Sequence, residues 1–168
     1  CLFIFYFMYT RFMSDFQEAR VWEDGLRTDP AKKSFEWWYF DCNFSDGSTI
    51  VITFFTKAPS HPKGPVKPQV QVVVTKPDGQ KISSNHYFLP NEFSASKEKC
   101  DVKIGPNTIS GDLKKYKVHL DLPEISGDFE FERIADSYST RAKHPKGPEY
   151  FGWFCAIPYG KVQADATF

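Results

Sequence analysis

The stretch Phe35-Glu36-Trp37-Trp38-Tyr39-Phe40-Asp41-Cys42-Asn43-Phe44 leaves this chain few choices. Two Trp, one Tyr and three Phe fall within ten residues, and such side chains favour strands and carry a large apolar area. Ser45-Asp46-Gly47-Ser48 follows, then an apolar run from Thr49 to Phe55. Asp-Gly is a hairpin signal, because Gly tolerates the positive φ of a tight turn. The segment reads as strand, turn, strand. Side chains alternate across a strand, so Glu36, Trp38, Phe40 and Cys42 share one face and Trp37, Tyr39, Asp41 and Asn43 the other. Aromatics on both faces suit neither to bulk water. Such a hairpin belongs in the wall of a barrel or sandwich, with a core on one side and a pocket or second domain on the other. The plainer alternative is that all of these rings are core.

The 168 residues are enough for one domain with a real core. Lys+Arg and Asp+Glu number 21 each, so the net charge is zero, and nothing favours a nucleic-acid or acidic-membrane partner through long-range electrostatics. Twelve Pro, ten Gly and an aromatic content of 17% point to many turns, β structure and an aromatic-lined cavity. No long helix is visible. Cys1, Cys42, Cys100 and Cys155 show no CxxC spacing, which argues against a structural zinc site. Cys42 and Cys155 read as buried thiols, with a disulfide between them left open, and Cys100 as a semi-exposed bystander.

Three segments follow from the chain order. Residues 1–13 form an apolar extension, too short for a membrane span of about 20 residues and without the basic start and cleavage site of a signal peptide. Met13-Ser14-Asp15 looks like a natural start; the rival reading is an anchor whose first half is missing. Residues 14–34 form an irregular lead-in, with a short helical turn over Ser14–Arg20 and with Trp22 and Leu26 tucked onto the main body. Residues 35–168 form the β domain, read as truncated at its C-terminal end because the chain stops inside a strand. Within it, Lys57 to Pro68 holds four Pro and one Gly and must be a long loop. Its His61-Pro62-Lys63-Gly64-Pro65 recurs as His144-Pro145-Lys146-Gly147-Pro148, either as two matched loops at one mouth or as coincidence. Strands are expected over 69–75, 80–89, 101–104, 108–111, 115–122, 127–134 and 161–168, and 90–99 reads as a polar connection. Lys115 to Leu122 alternates cleanly, as a half-buried antiparallel strand does.

Glu36-Trp37-Trp38-Tyr39-Phe40, with Asp46-Gly47 and an apolar strand after it, resembles the entry motif of the hydroxyneurosporene synthase (carotenoid hydratase) and AttH-like family, and more distantly the lipocalin-like Diels-Alderases. Tyr150-Phe151-Gly152-Trp153 through Pro158-Tyr159-Gly160 is similar to a later segment of that family, and Gly105-Pro106-Asn107 through Leu122 to its middle hairpin. The resemblance runs from about Trp22 to the end, and is sharpest over Glu36–Asp41. It implies an all-β antiparallel lipocalin-like (calycin) barrel or strongly curved sandwich, one incomplete lobe of a two-lobe protein. It implies as partners a hydrophobic small molecule, an isoprenoid or polyene, and a C-terminal lipocalin-like lobe beyond this chain. The implied chemistry is acid-catalysed hydration or cyclisation of a C=C. The alternatives are a non-catalytic module for a hydrophobic ligand and an inactive fragment of a truncated gene. No cofactor is called for. The expected compartment is cytoplasmic, with membrane association as the alternative.

For chemistry the residues themselves offer no Ser-His-Asp motif, no phosphate-cradling loop and no metal-spaced histidine pair. Glu36 and Asp41 are the candidate catalytic acids: a carboxyl held among rings has a raised pKa and can donate a proton near neutrality. The competing reading is that both pair with a lysine or cap backbone groups, and alternation points them to opposite sides. Trp37, Trp38, Tyr39 and Trp153 would steady a cation by their faces, and with Tyr150 they form the candidate ligand-binding set. His86 joins it, since it alternates with Ser84 and Phe88 and can face a pocket. His119 reads as inert on a solvated face.

Overall fold

The computed structural model describes residues 17–139 and 154–168. The strands are β1 (Gln17–Glu18), β2 (Trp37–Asn43), β3 (Thr49–Phe55), β4 (Gln69–Thr75), β5 (Lys81–Tyr87), β6 (Phe93–Ala95) and β7 (Asp101–Ile104). They continue as β8 (Asn107–Gly111), β9 (Lys115–Leu122), β10 (Ile125–Arg133), β11 (Tyr138–Ser139), β12 (Phe154–Cys155) and β13 (Gly160–Thr167). Short 3-10 turns cover Val21–Asp24 and Pro90–Glu92. All pairings are antiparallel: β2-β3-β4-β5 in one sheet, β13-β10-β9-β8-β7-β6 in a second, and the small set β1-β11-β12 in a third.

The opening hairpin forms as its residues dictate. Gly47 takes φ 89, Gly47 N–H donates to Phe44 O at 3.1 Å and Phe44 N–H to Ser48 O at 2.9 Å. Asp46 Oδ1 accepts from Ser48 N at 2.8 Å and from Ser48 Oγ at 2.6 Å, closing the turn. Alternation on β2 holds: Trp38 is buried, whereas Tyr39, Asp41 and Asn43 are exposed. The inner faces of the two large sheets merge in one core, in which Ile52, Phe54 and Val70 meet Ile104, Leu120 and Phe129. Each such fully covered side chain contributes about 1.5–3 kcal/mol.

The expected closed barrel or strongly curved sandwich is not what forms. No sheet closes on itself or curls strongly, and β2, β5, β6 and β13 are all edges. Between β5 and β6 the ladder stops for a local reason. Phe88 N–H adds one more rung toward β4, to Pro68 O at 3.0 Å, and Pro90, which has no N–H to give, then starts the 3-10 turn that separates β5 from β6. β2 and β13 share no backbone pairing; Phe40 of β2 packs on Phe131 of β10 at 5.2 Å, and Phe44, just past β2, on Phe168, just past β13, at 6.4 Å between centroids. The lipocalin, calycin and barrel description therefore falls. So does the lipocalin-like polyene-binding and hydratase function built on it, since the sheets stay open and enclose no barrel interior.

Smaller expectations also shift. The connection over 90–99 hides β6. Cys100 is buried, while Cys42 and Cys155 are half-buried, and all three are free thiols. Leu26 tucks into the core, but Trp22 is 47% exposed beneath the Arg27 guanidinium, 5.2 Å from the ring centroid. Gln17–Glu18 is strand and the following turn is 3-10; residues 14–16, the apolar extension 1–13 and the second His-Pro-Lys-Gly-Pro lie outside the described residues. Among the described residues no helix is long and apolar enough to cross a membrane.

Candidate functional site

A cleft of about 1510 Å³ opens where the barrel would have closed. Its walls are β2 on one side, β13 with the approach Phe154–Tyr159 on the other, and the lead-in at its floor. Antiparallel partners alternate between hydrogen-bonded and open pairs. Thr56 N–H donates to Glu36 O at 2.9 Å and Phe44 N–H to Ser48 O at 2.9 Å. The even-numbered residues of β2 therefore turn their backbone toward β3, and the odd-numbered ones turn theirs toward the cleft.

The floor is built by chain segments far apart in sequence. Leu26 N–H donates to Ser96 O at 2.7 Å, and Gly25 packs so closely on Lys97 that a Cβ would lie 2.7 Å from its carbonyl carbon. Arg27 Nε donates to Gly25 O at 3.0 Å and Trp38 Nε1 to Asp24 O at 3.3 Å. These contacts hold the 3-10 turn so that the Asp24 carboxyl meets Tyr116 of β9, whose hydroxyl donates to Asp24 Oδ2. The Cys100 thiol bonds to the same carboxyl. Burial raises Asp24 to about 7; the Tyr116 and Cys100 bonds pull it down and the Glu36 charge adds to the rise. Burial, with Asp24 beside them, pushes both the Tyr116 hydroxyl and the Cys100 thiol up. Among the described residues no ion pair with Lys, Arg or His reaches Asp24.

The sequence candidates land in different places. Glu36 lines the cleft as a clamp: its carboxylate accepts from Arg27 N at 3.0 Å, Thr28 N at 2.9 Å and Thr28 Oγ1 at 2.9 Å. Asp41 sits exposed on the opposite face of β2, as alternation implies, and it too lines the cleft. Trp37, Trp38 and Tyr39 also line the cleft, with Trp37 stacked on Phe35 at 5.6 Å. His86 lies away from it, on the far edge strand β5, where Nε2 meets Glu124 Oε2 at 2.7 Å. Tyr150 and Trp153 lie outside the described residues.

The chain matches no protein-family model, no curated protein and no solved structure.

The site is thus read from its own geometry. Cys42 is pushed up to about 11 by burial and by Asp41, and burial also raises Cys155. Neither is a thiolate near neutral pH, so neither is an activated nucleophile. Among the described residues no three His, Cys, Asp or Glu side chains are placed to hold a metal. What the arrangement offers is one carboxyl that exchanges its proton near neutrality beside aromatic walls. Asp24 and Tyr116 are not among the candidates the sequence offers, and Cys100, expected as a semi-exposed bystander, is buried beside them. One signal was present: Tyr116 falls on the inward face of an alternating strand, and a buried tyrosine hydroxyl requires a partner.

Proposed function

We propose that the chain is a ligand-binding domain whose ligand lies in the open cleft and sets a hydrogen-bond acceptor, such as a carbonyl oxygen, against the protonated carboxyl of Asp24. The observation that carries this reading is the position of Asp24 in the cleft, half-buried and bonded by both Tyr116 and Cys100. Large clefts with a few convergent polar groups and a perturbed acid are where ligands bind. A protonated carboxyl has one donor to offer. The Tyr116 and Cys100 bonds keep the group from rotating away. Phe40, Phe131 and Trp37 supply the apolar part of the wall.

The test is nuclear magnetic resonance on the full chain, with carboxyl-labelled aspartate and a fragment set of lactams, cyclic ketones and secondary amides. Binding fragments are expected to shift the Asp24 carboxyl and the Tyr116 and Phe40 rings, and to bind more weakly once the pH passes about 8, where Asp24 is ionised. Fragments that bind elsewhere and leave those signals unmoved at every pH would overturn the reading.

A further inference from the structure

The geometry points to the class of that ligand: an extended segment of another polypeptide that adds as a strand along the free edge of β2. This rests on the reading of the cleft as a ligand site. The backbone N–H and C=O of Tyr39, Asp41 and Asn43 face the cleft by the alternation of the hairpin ladder, and among the described residues none of them has a backbone partner there. The opposite wall repeats the pattern. Ile134 N–H donates to Tyr159 O at 2.9 Å, so in the β10–β13 ladder the outward backbone groups of β13 belong to Gly160, Val162, Ala164 and Ala166.

The two edges run in the same sense, since Phe40 meets Phe131, the partner of Val162, and Phe44 meets Phe168. A strand laid along β2 in the opposite direction would be antiparallel to both walls, the more stable pairing. Exposed edges are usually guarded by Pro or Lys. β2 carries neither, and its one charge is Asp41. An added strand presents alternate side chains to the two sides: one set toward Phe40 and Phe131, the other beside Tyr39. Main-chain bonds give such complexes affinity and the alternate pockets give them selectivity.

The experiment selects peptides of roughly ten residues, long enough to cover a strand, from a random displayed library on the full chain. Each winner is made again with every second amide N-methylated. Bound peptide is expected to slow exchange of the Tyr39, Asp41 and Asn43 amides by about tenfold or more, leaving those of Phe40 and Cys42 unchanged. N-methylation is expected to abolish binding in the register that faces β2 and to weaken it in the register that faces β13. Asp41→Pro, which takes away a cleft-facing N–H and none of the β2–β3 bonds, should weaken binding about tenfold with the melting temperature held. The inference is overturned if no peptide protects those amides, if both N-methylated registers bind as well as the parent, or if the amides become protected with rising protein concentration alone, which would make the occupant a second copy. Carbonyl fragments that still shift Asp24 in any of those cases leave the ligand-site reading standing; their failure too would remove both.

Discussion

Tyr116 donates its hydroxyl to the carboxyl of Asp24, 92 residues earlier in the chain, and so ties the irregular lead-in to the centre of the six-stranded sheet. The acid is raised by burial to about 7 from an ordinary 3.8. A folded-state pKa above the unfolded one means that the native state holds its proton longer. Stability should therefore fall as pH rises from about 4 to about 7, and change no further above that.

Asp24→Asn removes this titration and keeps an acceptor for Tyr116. It should be close to neutral at pH 4 and stabilising above pH 7, by up to about 4 kcal/mol if the whole shift is realised. Urea melts of both proteins across pH 4 to 8 check this; parallel pH profiles would contradict it.

Lys57 is 1% exposed, and its ammonium donates to Lys32 O at 2.6 Å, Gly64 O at 2.7 Å and Pro62 O at 3.2 Å. The long Pro-rich loop is thus stapled at one end. Lys57→Met keeps the stem but orphans three carbonyls, and should cost about 1–3 kcal/mol. Limited proteolysis should then cut the loop 58–67 first.

His86 and Glu124 join β5 to the turn between β9 and β10, one residue from each large sheet, at 2.7 Å. The histidine bond holds the Glu124 carboxyl below its usual range. That contribution is present above the ordinary glutamate pKa and is lost as pH falls through the lowered one. Glu124→Gln should lower the melting temperature at pH 6 and leave it unchanged near pH 2, a comparison calorimetry can make.

Gly127 sits at φ 146, and a Cβ there would lie 2.3 Å from Asp165 O. Gly127→Ala should destabilise by at least about 2 kcal/mol. Hydrogen exchange should show β13 loosening from β10 before any other pair.

The hairpin of β2 and β3 was legible because its information is local: Asp46-Gly47 sets the turn, and the rings of Trp38 and Phe40 set the register. The β9 and β10 pair was legible for the same reason, with Lys117 opposite Glu130 at 2.6 Å on the solvated face. Closure was not legible. Whether β2 meets β13 depends on where Phe88 and Pro90 break the ladder, and strand patterns carry no such count. Asp24 was missed because its surroundings come from Tyr116 of β9 and from Cys100, just before β7; for Glu36 the reading as a cap on backbone groups is the one that forms, with Arg27 and Thr28 as its partners.

In the small sheet, Glu18 of β1 pairs with Tyr138 of β11, and Tyr138 pairs with Cys155 of β12. Glu18 stands six positions before Asp24, and Cys155 five before Gly160. That seam therefore fastens the two banks of the cleft to each other, so the floor and the β13 wall take their places together.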